Sequence, residues 1–232
     1  MKVSVMLATA AMALMTNASA EIFEDYDSFY VSRPHKLFGE PIEFDHCSTY
    51  AAQGRPGSYV KLRASLEGKP LRVEIAPDRI TVNGVIHRFG RAKTFPGEHP
   101  TDIYPPGASV FLVPRTTVHP AALCVDGASS GSGEAKRHTQ IYLLLDPLSL
   151  RGKATFLHLP SLLSSCRAVT VTDHGKVAFP KNTYLLDAQQ ENRAGLLLSY
   201  YTFEGQRFVP IQKEVRVRFV QPEIPFQFEI QE

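Results

Sequence analysis

Much of the chain alternates apolar and polar residues in short runs bounded by Gly, Pro, Asn and Asp. A period of two sends successive side chains to opposite faces of a β-strand. "LRVEI", 71–75, sets Leu71, Val73 and Ile75 against Arg72 and Glu74. "EVRVRFV", 214–220, and "FQFEI", 226–230, repeat the pattern near the end of the chain. Here Lys213, Arg216 and Arg218 read as the solvated face opposite Val215, Val217 and Phe219. "SYVKLRA", "SVFLV", "IYLLL" and "ATFLHL" add further candidate strands.

Three turn signals join these runs into hairpins. Asn83-Gly84 sits between β-branched runs in "RITVNGVIHRF", and that pair tolerates the positive φ needed at both centres of a type I′ turn. Glu204-Gly205 separates "LLLSYYTF" from "QRFVPI", and Asp173-His174-Gly175 divides "AVTVTDHGKVAF". Helical periodicity is scarce. A turn or two of helix is predicted only in "PSLLSS", 160–165, with Pro160 near its start. The fold class is therefore all-β: an antiparallel sandwich or barrel-like sheets built from hairpins. It is one region over 21–232, or two small β domains divided near 115–120 in "VPRTTVHP".

The first twenty residues have a different pattern. Lys2 precedes an uncharged run, Val3 to Met15, and Ala18-x-Ala20 follows. That run is shorter than the roughly 20 residues a membrane span needs. It matches a cleavable export signal over 1–20, so a periplasmic or secreted protein with no remaining membrane span is expected. The leader holds one of the 25 basic residues and none of the 23 acidic ones, leaving a net charge of +1 on 21–232. A balance so close to zero gives no electrostatic reason to expect nucleic acid as a partner.

In an oxidising compartment, three cysteines give at most one bridge. Cys124 and Cys166 lie in apolar segments, "AALCV" and "LLSSCRAV", and are the favoured pair; Cys47 is then the free thiol.

Several residues invite a chemical reading. Gly127-Ala128-Ser129-Ser130-Gly131 matches the G-x-S-x-G elbow of serine hydrolases. The elbow needs a strand before the serine and a packed helix after it. "SGSGEAKRHTQ" supplies more glycine and charge and no apolar stripe, so a loop is expected at Ser129. Asp146 with His158, or Asp173 beside His174, would be the triad companions. Lys136, Arg137 and His138 give that loop a basic edge, without the Gly-Lys-Ser/Thr of a phosphate loop. Asp45, His46 and Cys47 are adjacent and would point to alternating faces of a strand, and no standard metal-ligand spacing occurs, so neither metal nor cofactor is expected. Acidic residues gather near the start at Glu24, Asp25, Asp27, Glu40, Glu43 and Asp45, where a solvated surface accounts for them.

Aromatic residues concentrate in "FEDYDSFY", 23–30, and "LSYYTF", 198–203. Of Tyr200 and Tyr201, one should face inward, and the other is an interface candidate. The expectation is an exported, non-catalytic protein that binds a protein partner, as an inhibitor or immunity-type protein does. A cell-envelope hydrolase and a small-ligand carrier are the alternatives.

Overall fold

The computed structural model describes residues 21–52, 55–128, 137–149 and 154–231, with the backbone path only over 46–52 and 55–58. The leader over 1–20, Ser129 and Lys136 lie outside the described residues, as do the side chains of His46 and Cys47. Antiparallel strands dominate, arranged in three sheets, none closed into a barrel.

The first is a five-stranded meander: β2 (His46–Ala52), β3 (Arg55–Leu66), β4 (Lys69–Ala76), β5 (Arg79–Val82) and β6 (Val85–Arg88). Val60 and Leu62 of β3, Leu71, Val73 and Ile75 of β4, and Ile80 and Val82 of β5 are all buried. Asn83 and Gly84, both at positive φ, make the β5–β6 turn. Asn83 also ties that turn back to β4, accepting from the Arg72 N–H at 2.8 Å and donating to the Pro70 carbonyl at 3.1 Å.

The second sheet has four strands, β7 (Ser109–Val113), β8 (Ala122–Ala128), β9 (Thr139–Leu145) and β10 (Thr155–Leu159), in the order β10-β9-β8-β7. It is the middle layer. Val110, Leu123, Val125, Tyr142 and Leu144 face the five-stranded sheet. Phe111, Ala122, Cys124, Ile141, Leu143 and Leu157 face the other way. Burial on both faces is why "AALCV" and "IYLLL" are continuous apolar runs where strands elsewhere alternate. Residues 114–121, where chain punctuation suggests a division, link β7 to its paired neighbour β8.

The third sheet runs β1-β15-β14-β13-β12-β11, where β1 is Ile22–Phe23, β11 Thr170–Val171, β12 Val177–Leu186, β13 Arg193–Glu204, β14 Arg207–Gln221 and β15 Ile224–Gln231. Val177 and Phe179, with Tyr201, Phe203 and Phe208, pack toward the middle sheet. Leu196, Leu198, Tyr200, Val217, Phe219 and Phe228 form a separate core under the helix α1 (Tyr26–Ser32). Val215, Val217 and Phe219 are buried while Arg216 and Arg218 are exposed, as the alternation requires. Lys213 departs from the expectation. It shares the parity of Val215, and its ammonium lies 4.4 Å from the centre of the Tyr200 ring.

Two further expectations are corrected. The β13–β14 turn is centred on Gly205-Gln206, both at positive φ, with Glu204 and Arg207 paired as its flanks. No helix forms over 160–165. A 3₁₀ turn occupies Cys166–Ala168 instead, started by Ser165, whose side chain accepts from the Arg167 N–H. The turn at 173–175 forms as predicted, with Gly175 at φ +75. A Cβ there would sit 2.0 Å from the Val118 carbonyl oxygen, so both backbone angle and space demand glycine.

Candidate functional site

The sequence places α1 through Asp25-Tyr26-x-x-Phe29-Tyr30, with apolar positions i, i+3 and i+4 after a capping aspartate. The Asp25 carboxylate accepts from the Ser28 N–H at 2.7 Å. Tyr26, Phe29 and Tyr30 are buried, and Phe228 stacks on Tyr26 with ring centres 4.4 Å apart. This leaves Asp25 and Asp27 exposed on the outer side of the helix.

Opposite α1 stands the segment 162–168, held from both ends. Asn182 is buried and donates to the Leu162 and Leu163 carbonyls at 2.7 and 3.1 Å, and to the Tyr30 hydroxyl at 3.0 Å. Tyr30 in turn donates to the Leu163 carbonyl. The other tether is a disulfide from Cys166 to Cys124 of β8, the pair the sequence favours.

Between α1, the end of β8 and this segment lies an open cleft of about 570 Å³, lined by Asp25, Asp27, Ser109, Asp126, Arg137, Ser164, Ser165, Arg167 and Phe226. Asp126 lies two residues past the bridged Cys124, at the end of the middle sheet. It is 7 % exposed and accepts from the Cys166 N–H at 2.8 Å. Burial raises its pKa to about 6, the nearby Asp27 charge adds to the rise, and the Cys166 N–H, Ser109 and Arg167 oppose it. Arg167 makes a two-pronged pair with Glu40, at 2.8 and 3.3 Å. That bond holds the Glu40 carboxyl below its ordinary range. Ser165 donates to Asp27 at 2.7 Å. Arg137 donates to the Tyr184 hydroxyl and the Glu223 carbonyl.

The other residues singled out by sequence go elsewhere. His158 is buried between Thr94 and Gln140, at 3.0 and 2.9 Å, and its pKa is lowered to about 4, first by burial and then by His99. Asp146 pairs with Arg115 at 2.5 Å. Asp173 is 3.9 Å from His35, on the surface. His138 meets Ser161, which is buried, at 3.1 Å. Tyr200 and Tyr201 face opposite sides of β13, and both sides are packed: Tyr200 is buried in the core under α1, and the half-buried Tyr201 stands edge-on to Phe95 toward the middle sheet, so the expected inward–outward split does not hold. Among the described residues no group of three or more His, Cys, Asp and Glu is placed to hold a metal, and no helix is long and apolar enough to cross a membrane.

No protein-family model, curated protein or solved structure matches this chain. The cleft is therefore read from its own chemistry. Sequence reasoning misses it because its walls come from positions as distant as Asp27 and Ser165, 138 residues apart. The aromatic cluster at 23–30, the acidic residues Asp25 and Asp27, Arg137 of the basic edge and the cysteine pair were each legible, but nothing local joined them into one cleft.

The arrangement can supply carboxylate acceptors at the mouth, hydroxyls along the wall and one apolar surface. Phe226 is 48 % exposed, and Ile224 of the same strand is 47 % exposed. A large ring left open beside fixed polar groups suits recognition of a protein surface.

Proposed function

We propose that this is an exported binding protein whose partner is another protein, and that the cleft beside Phe226 is its binding site. The half-exposed Phe226 at the rim of a polar, open cleft carries the reading. It offers an apolar anchor, and Asp25 and Asp27 offer acceptors to the partner's cations and amides. The polar groups inside are engaged with one another: Arg167 with Glu40, Ser165 with Asp27, Asp126 with the Cys166 amide. Such mutual pairing fixes a rigid surface, which lowers the entropy lost on association. The Cys124–Cys166 bridge supports the exported address, since disulfides persist in oxidising compartments.

One observation favours a second reading. Asp126, with its pKa near 6, lies within the electrostatic reach of Asp27. A carboxyl whose pKa is raised by burial, close to a second carboxylate, is the pattern of acid–base hydrolysis.

The test places a photoreactive phenylalanine analogue at position 226 of the exported chain, with position 86 on the far sheet as control. Binding predicts one discrete protein adduct from 226, none from 86, and its loss on Asp27→Arg. Repeated recovery of the chain without an adduct would refute the binding reading. Glycosidase or esterase turnover lost on Asp126→Asn would establish the alternative.

A further inference from the structure

A second charged feature lies on the outer face of the five-stranded sheet, independent of the cleft. In the antiparallel pairing of β3 and β4, Arg63 stands directly opposite Arg72. Both are exposed, and among the described residues neither has a carboxylate partner. Like charges directly across a ladder repel, because their Cβ atoms are only about 5 Å apart. A second like-charged pair on this sheet, Arg79 opposite Arg88, and the Lys61–Glu74 row are both compensated. Lys61 faces Glu74 and pairs with it at 3.2 Å, and Arg79 and Arg88 share Asp78, each at 2.8 Å. The uncompensated Arg63–Arg72 row lies in a shallow concavity of about 430 Å³, lined also by Lys61, Thr81 and Gly84. Gly84 has no heavy atom within 4 Å of where a Cβ would stand, so that rim is open.

We infer that Arg63 and Arg72 bind a phosphate group between them. Two unpaired guanidinium groups balance a dianion, and together they present more N–H donors than one carboxylate can accept. A carboxylate is satisfied by a single bidentate arginine, whereas a tetrahedral oxyanion has oxygens for both forks. The Thr81 hydroxyl and the Lys61 ammonium stand beside them as further donors. Among the described residues Glu74 is the one carboxylate lining the concavity, and Lys61 neutralises it. The phosphate can be a free ion or a lipid headgroup, since the exposed face admits either.

The experiment measures binding of inorganic phosphate by calorimetric titration at constant ionic strength set with chloride. It measures flotation with phosphatidate vesicles against phosphatidylcholine vesicles alongside. The chains compared are wild type, Arg63→Gln, Arg72→Gln, the double variant, and Arg216→Gln as an exposed control on another sheet. Each single variant should weaken binding at least tenfold and the double variant should abolish it, with Arg216→Gln unchanged. Saturable binding of the free ion identifies a soluble phosphate; flotation with phosphatidate alone identifies a headgroup. Circular dichroism confirms that each variant is folded, and Arg63→Lys, which keeps the charge, should retain part of the affinity. Absence of saturable binding to either probe, or binding that survives the double substitution, overturns the site.

Discussion

Asp126 and His158 are both buried, and they pull stability in opposite directions as pH changes. The Asp126 pKa is raised from 3.8 to about 6. The folded state therefore binds its proton more tightly than the unfolded chain. Its contribution is fully present below pH 3.8 and is lost as pH rises through about 6. The His158 pKa is lowered from 6.5 to about 4, so its contribution is present above 6.5 and is lost as pH falls through about 4. At about 1.4 kcal/mol per unit, each amounts to roughly 3 kcal/mol, and the two slopes nearly cancel between pH 4 and 6.5. Single substitutions unmask them. Asp126→Asn, which keeps an acceptor for the Cys166 amide, should make stability climb by roughly 3 kcal/mol from pH 4 to 6.5. His158→Gln should make it fall over the same range. The surface carboxyls of Glu40, Asp187 and Glu204, held below their ordinary range by hydrogen bonds, contribute a rising slope common to every variant. Urea midpoints at half-unit pH steps measure the difference. Variants that run parallel to wild type would show that neither group is perturbed by its surroundings.

At the scale of elements, the segment 162–168 shows what holds the cleft open. It has no strand of its own and depends on Asn182 and on the bridge to Cys124. The two cysteines are 42 residues apart, so the bridge should contribute about 4 kcal/mol by the chain-entropy model. The double variant Cys124→Ala/Cys166→Ala should lose roughly that much. Amide exchange should accelerate at 166–169 while the β12–β13 amides stay protected. Equal acceleration in both places would mean that the bridge supports the whole fold rather than this wall. The same segment marks where sequence stopped being informative. "PSLLSS" has helix-permissive residues, yet its Leu162 and Leu163 carbonyls are taken by a buried asparagine about 20 positions later. The helix that does form has seven residues, too short for a repeating period, and its only traces are Asp25 and the spacing of Tyr26, Phe29 and Tyr30. The hairpins were legible because their turns are local: Asn83-Gly84 needs positive φ at both positions, whatever surrounds it. Even there, a glycine alone does not say which turn position it fills, which is why the turn after β13 falls one residue later than Glu204-Gly205 suggests.

Alternation reveals which side of a strand is covered but not what covers it, so the stacking of three sheets depends on the middle one. Leu143 and Leu144 are neighbours in β9, both fully buried, yet they belong to opposite cores. The inner face of the five-stranded sheet is completed by Leu123, Val125, Tyr142 and Leu144, all from the middle sheet. A division near 115–120 would separate β7 from β8, its partner along five registered positions. The layers should therefore unfold together, in one calorimetric transition whose enthalpy equals the van't Hoff value. Leu143→Ala and Leu144→Ala should each cost about 2–5 kcal/mol, since each opens a cavity in a packed interior. Both should lower the midpoint of that same transition without splitting it. If instead the trace showed two transitions, with Leu144→Ala moving one and Leu143→Ala the other, the two cores would be separate folding units. The middle sheet would then be a shared boundary that can part, rather than the element through which each layer stabilises the next.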